Sequence, residues 1–150
     1  MRIGAYEIPD GLLYMKEHTW LSIEGHDLGR VGITDYLQKA LREISFIYLP
    51  KNGLEVRRLK AIATVESIKA ISEIYSPASG RIVDVNLKLV LTPGLINQDP
   101  YVRGWVAVIQ SSFLGEEASE LLEAKQYAEY VKRLIRMDKP RSHGPHADSQ

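Results

Sequence analysis

No cysteine occurs in the chain. That excludes disulfide cross-links, thiolate zinc sites and a cysteine nucleophile, so any redox chemistry has to come from a bound or attached group. Neither sign of charge is in excess, with 19 Lys and Arg against 19 Asp and Glu. No overall field draws the protein to nucleic acid or to an anionic membrane. No apolar run approaches the roughly 20 residues that a membrane-spanning helix needs. The first residues, Met1-Arg2-Ile3-Gly4-Ala5, hold no apolar segment of secretory length. A cytoplasmic protein with no membrane and no nucleic-acid partner is the expectation. The remainder is ordinary globular material: 150 residues, 45% apolar and 25% charged, which suits one domain with one core.

Glycine, proline and asparagine are also missing from a place that usually needs them. The apolar run Ala61-Ile62-Ala63 and the run from Ile71 to Tyr75 read as two strands of a hairpin. Between them lies Thr64-Val65-Glu66-Ser67-Ile68-Lys69-Ala70, which has no Gly, Pro or Asn. Lys69 stands at the tip. A lysine on a tight turn keeps its stem in water, and nothing there offers the burial that tunes a lysine for base or Schiff-base work. The position suits a target of modification better than a catalyst.

The rest of the chain alternates short strands with turns. Lys16 to Ile23 reads as a half-buried strand, Gly25-His26-Asp27 as a turn, and Leu28 to Ile33 as the return strand. His18 is expected as a surface or edge histidine near a core tryptophan, Trp20. Thr34 is placed to cap a short helix over residues 35–41, with Asp35 at the end the helix dipole favours. Tyr36, Leu37, Ala40 and Leu41 form its packing stripe. Ile44 to Leu49 is a strand. Leu54 to Lys60, with Arg57, Arg58 and Lys60, reads as a solvated strand face. Arg81 to Leu87 is a strand, Leu95 to Tyr101 an irregular linker, and Gly104 to Gln110 the last strand. From Glu116 the period becomes helical, and two helices near 116–137 with a bend at Glu123 are expected. Residues 138–150 are polar with no apolar stripe and are expected to be disordered. His143 and His146, three apart in that tail, are too little for a metal site, and no metal is expected. The pattern predicts a mainly β fold, a sandwich or flattened barrel of short antiparallel strands. It places one domain over 1–137.

Several stretches, taken in order, resemble the glycine cleavage system H protein. Lys16-Glu17-His18-Thr19-Trp20 is similar to K-E-H-E-W, Val31-Gly32-Ile33-Thr34-Asp35 to V-G-I-T-D, and Ile47-Tyr48-Leu49-Pro50 to V-E-L-P. Glu66-Ser67-Ile68-Lys69-Ala70 resembles the lipoyl-attachment pattern E-S-V-K-A. Tyr75-Ser76-Pro77-Ala78-Ser79-Gly80 follows Y-A-P-V-S-G, then come Pro93-Gly94-Leu95-Ile96-Asn97, Asp99-Pro100-Tyr101 and Gly104-Trp105. The chain departs from the pattern at Thr19, where the family has glutamate, and at Leu37. Leu41-Arg42-Glu43 stands for L-G-D, and the glycine of the loop before the lysine strand is lost within Val56-Arg57-Arg58-Leu59.

The resemblance implies a lipoyl-type barrel-sandwich and a lipoic acid joined covalently to Lys69. It implies a carrier, not an enzyme, that moves an aminomethyl group from glycine decarboxylase to aminomethyltransferase. Dihydrolipoamide dehydrogenase would reoxidise the arm, and a lipoate ligase or an octanoyl/lipoyl transferase would load it. Glu66, Ser67, Ile68, Ala70 and Glu73 would be read around the lysine, and Glu17 and Thr19 are the possible arm contacts. The loss of the glutamate at Thr19 leaves a second reading open, a lipoate-binding relative serving a heterodisulfide-reductase-like complex of sulfur oxidation. An unmodified interaction module is a third. An enzyme built on Lys69, Glu66 and His18 would need those three to converge. Ile68 and Ala70 in place of the M-K-M methionines disfavour a biotin carrier.

Overall fold

The computed structural model describes residues 1–143. Its strands are β1 (Arg2–Ile3), β2 (Tyr6–Glu7), β3 (Leu13–Tyr14), β4 (Thr19–Ile23) and β5 (Leu28–Ile33). Helix α1 (Asp35–Leu41) is followed by β6 (Ile44–Tyr48), β7 (Glu55–Val56), β8 (Ala61–Ser67), β9 (Ile71–Tyr75) and β10 (Gly80–Val85). Then come α2 (Lys88–Leu91), α3 (Leu95–Gln98), β11 (Ala107–Gln110), α4 (Leu114–Ala118), β12 (Leu122–Glu123) and α5 (Ala124–His143).

Two antiparallel sheets enclose the main core. The larger has seven strands in the order β12-β3-β4-β5-β11-β10-β7, and the smaller has three, β6-β8-β9. Alternation along the strands decides what goes inside. Leu21, Val31, Ile33, Ile82 and Ile109 point in from the large sheet, and Ile44, Ile47, Val65 and Ile74 from the small one. The mainly β sandwich expected from the sequence is the fold observed.

The large sheet is covered on its other face as well. Trp20, Tyr14 and Ile8 gather there with Tyr127, Ala128 and Val131 of α5. This is why β4 is buried at Thr19, Trp20 and Leu21 alike, and not half-buried as its alternation suggested. Trp20 lies directly opposite Gly32 of β5, and a Cβ at Gly32 would meet the indole at 2.5 Å. The ring therefore demands glycine there.

Other boundaries differ from the sequence reading. The linker at 95–101 contains α3, preceded by α2; at four residues each, both are too short to show a helical period. The basic stretch 54–60 has only the two-residue strand β7. On α1 the buried residues are Asp35, Gln38 and Leu41, while Ala40 is exposed. Asp35 is drawn inside because it accepts from Glu7 N at 2.9 Å, Gln38 Nε2 at 2.7 Å and Lys39 Nζ at 3.1 Å. The C-terminal helices are separated by a turn and by β12, which adds to the sheet edge at β3. Helix α5 runs on to His143, into the stretch expected to be disordered. Residues 144–150, with His146, lie outside the described residues.

Candidate functional site

The β8–β9 hairpin projects Lys69 from the small sheet. The strands pair from Ala61↔Tyr75 to Glu66↔Ile71, and Ser67 to Ala70 forms the turn. Ser67 N donates to Ala70 O at 2.8 Å. The Ser67 hydroxyl oxygen accepts from Lys69 N at 3.1 Å and from Ala70 N at 3.0 Å. A serine side chain thus supplies the turn chemistry that glycine or asparagine usually brings. Among the described residues the positive-φ residues other than glycine are His18, Arg42 and Leu59, so the tip closes without a left-handed residue.

Ile68 is 78% exposed and Lys69 is exposed. The Lys69 ammonium donates to Ala40 O, at the end of α1, at 3.3 Å. Helix C-termini leave carbonyls free, and their dipole favours a cation. Asn97 holds this corner, donating through Nδ2 to Arg42 O at 2.8 Å and accepting from Ile44 N at 2.9 Å.

Glu66 and Glu73 sit on the outward face of the small sheet. Glu66 Oε1 accepts from Tyr48 OH at 3.4 Å, and Glu73 Oε1 from Tyr75 OH at 3.3 Å. The Tyr75 phenol is held above its usual range, by the Glu73 carboxylate first and by Glu17 among the smaller causes. Glu17 and Glu73 therefore bear on one hydroxyl at the base of the hairpin.

Thr19 is 1% exposed. Its hydroxyl donates to Tyr75 O at 2.9 Å, which ties β4 of the large sheet to β9 of the small one. Glu17 and Thr19 do not share a strand face. The strand begins only at Thr19, and His18 between them has φ of 73°.

His18 is only partly exposed. Its Nδ1 is 2.7 Å from Tyr127 OH, which is 2.8 Å from Thr34 Oγ1. Its ring packs on Tyr36 and Tyr130, with centroids 4.7 and 6.0 Å away. Burial pushes the imidazole down to about 4. His18, Glu66 and Lys69 each have different neighbours, so the structure does not assemble them as an acid/base set. Sequence reasoning missed Phe46, Tyr48 and Tyr75. The one signal was Tyr48 itself, standing where the pattern V-E-L-P has glutamate.

The family model described as glycine cleavage H-protein matches residues 12–134. A probable glycine cleavage system H protein of Pyrococcus abyssi is 43% identical over 134 residues, 89% of this chain and 99% of that protein. A glycine cleavage system H protein of Thermus thermophilus is 44% identical over 126 residues, covering 84% of this chain and 97% of its own. The crystal structure of a glycine cleavage system H protein from Mycobacterium marinum superposes with a TM-score of 0.76 at 37% identity, over 83% of this chain and 99% of that one. None of these three names speaks for sulfur oxidation.

Proposed function

The chain belongs to the glycine cleavage H-protein family, a family of lipoyl carriers, and from that premise we propose that Lys69 bears the lipoyl group in amide linkage. The observation that supports Lys69 is the tip itself: an exposed lysine on a turn pinned by Ser67. The residues present suit an amide there. An acylated Nζ keeps one N–H, so Ala40 O has a donor in either form. The charge lost on acylation belongs to an exposed group, so little solvation changes inside the fold.

When bound, the group supplies a dithiolane whose sulfurs take up and release the payload and two reducing equivalents. The chain's own part is to present, tether and shelter. Tethering raises the effective concentration of the arm at each enzyme without tight docking. The proposed sequence runs from glycine decarboxylase to an aminomethyltransferase and then to dihydrolipoamide dehydrogenase, with a lipoate ligase or octanoyl/lipoyl transferase loading the lysine. The protein acts as a carrier beside these enzymes in the cytoplasm. Glu17 and Glu73 supply negative charge where a cationic aminomethyl group would need it.

The experiment is co-expression with a lipoate ligase, followed by intact-mass measurement and tryptic mapping of the wild type and Lys69→Arg. The mass should rise by one lipoyl group, on Lys69, and Lys69→Arg should stay bare. Lipoate on another lysine with Lys69 free would overturn the assignment. The lipoylated protein should also take up methylamine from glycine when the cognate decarboxylase is present; no uptake would overturn the payload and favour sulfur transfer.

A further inference from the structure

The small sheet presents an outward face that the described residues leave uncovered. Phe46 and Tyr48 of β6 lie opposite Glu66 and Thr64 of β8, which lie opposite Ile71 and Glu73 of β9. Phe46 is 44% exposed, Tyr48 54% and Ile71 67%. Phe46 and Tyr48 form an edge-to-face pair with centroids 4.6 Å apart, so the aromatic part of the face is ordered before any partner arrives. The only charged side chains among these six residues are Glu66 and Glu73. The face continues directly into the tip, since Glu66↔Ile71 is the last pair before the turn.

Resting on the reading of Lys69 as the attachment residue, we infer that this face is the docking surface for the enzyme that acylates Lys69. Reach singles that enzyme out. It must bring an activated carboxyl to Nζ itself. The nitrogen, having lost a proton, bonds to the acyl carbon; the phosphate or thiol leaving group departs with the electron pair, and a second proton leaves the nitrogen. The bare lysine stem is the whole tether for this step, so the acylating enzyme has to close over the hairpin. Enzymes that meet the distal end of an acylated arm have no such requirement. The acylating enzyme should carry an apolar surface flanked by basic groups, complementary to Phe46, Tyr48 and Ile71 with their two carboxylates. Aromatic side chains in a desolvated centre carry much of the energy of such contacts. Tyr48, in place of the pattern's glutamate, extends the apolar part of the face in this chain.

The test measures ATP-dependent octanoylation of the full-length, unmodified protein by its cognate lipoate–protein ligase. Variants are Phe46→Thr, Tyr48→Glu and their combination, with Val102→Thr, another exposed apolar residue, as the control. The double variant should raise KM for the carrier about tenfold or more, with kcat changed less than about twofold and an unaltered melting curve. Reduction of the variant, once lipoylated, by dihydrolipoamide dehydrogenase should be unchanged. Glu66→Gln with Glu73→Gln should weaken the dependence of KM on salt. Unchanged kcat/KM in the double variant, with Lys69→Arg refusing acylation, would overturn the docking inference and leave the attachment site standing. Acylation of Lys69→Arg would instead overturn the attachment assignment. Loss of reduction with acylation intact, or a dimer of the wild type that Phe46→Thr dissolves, would give the face to another occupant and overturn the inference.

Discussion

Ser67 gives the hairpin tip an acceptor for two backbone N–H groups, those of Lys69 and Ala70. Removing it strands both donors at an exposed turn, where water replaces most of the loss. Ser67→Ala should cost about 1 kcal/mol of stability and loosen the tip. Acylation kcat/KM should fall several-fold more than the melting temperature alone would suggest; an unaltered rate would mean the turn does not position the lysine. Arg42 shows the opposite case, a residue held where its backbone resists. Its φ and ψ are 70° and −156°, a region essentially reserved for glycine that costs other residues about 1–3 kcal/mol. Leu59, at φ 75° and 50% exposed, is also left-handed. Arg42 stands at the glycine of L-G-D and Leu59 within the stretch that has lost one, so at Arg42 the backbone has a shape its side chain does not favour. Arg42→Gly should stabilise the protein by about 1 kcal/mol, read as a higher urea midpoint at unchanged slope. A lower midpoint would show that the Arg42 side chain offsets the strain.

Elements with a strong period were legible in the sequence. The hairpin β8–β9, the pair β4–β5 and α1 with its Thr34 cap all came from alternation, turn residues and capping chemistry, and Thr34 Oγ1 does accept from Leu37 N at 3.3 Å. Elements that depend on distant partners were not legible. Asp35 reads as a surface acid until the N-terminal hairpin gives Glu7 N to it, and β12 exists only because β3 lies beside it. The carboxylates that act on the Tyr75 hydroxyl are also of this kind: Glu73 of β9 accepts from it and Glu17, from the turn before β4, adds a smaller effect, and no spacing in the sequence links the two. If the pair shelters a cationic payload, Glu17→Gln with Glu73→Gln should release methylamine from the loaded carrier several-fold faster, with lipoylation itself unchanged. Equal release rates, followed by mass spectrometry, would remove the pair from the shelter.

Across the whole molecule, the sandwich was readable from strand spacing, but the second core under α5 was not. The tyrosines of α5 form a stripe that fits a sheet or a partner equally well, and only the structure shows Tyr127 stacked on Tyr14 at 4.7 Å and bonded to His18. That junction makes stability depend on pH. The groups around the imidazole are the phenols of Tyr36, Tyr127 and Tyr130, with Lys16 and Arg133 over the outer ring of Tyr130. Among the described residues no carboxylate is bonded to it, and burial lowers its pKa from 6.5 to about 4. An unfolded chain therefore binds a proton below about pH 6.5 that the folded chain refuses until about pH 4. Stability from this group is complete above pH 6.5 and is lost as pH falls toward 4, by on the order of 2 kcal/mol. Protonated carboxylates add to any acid loss, so the measurement is a difference. Urea midpoints for the wild type and His18→Gln are compared at pH 7 and pH 4.5. His18→Gln should be the less stable at pH 7, because it loses the ring packing, yet its midpoint should fall less on acidification. Parallel falls in the two proteins would show that His18 takes up its proton in the folded state as readily as in the unfolded one.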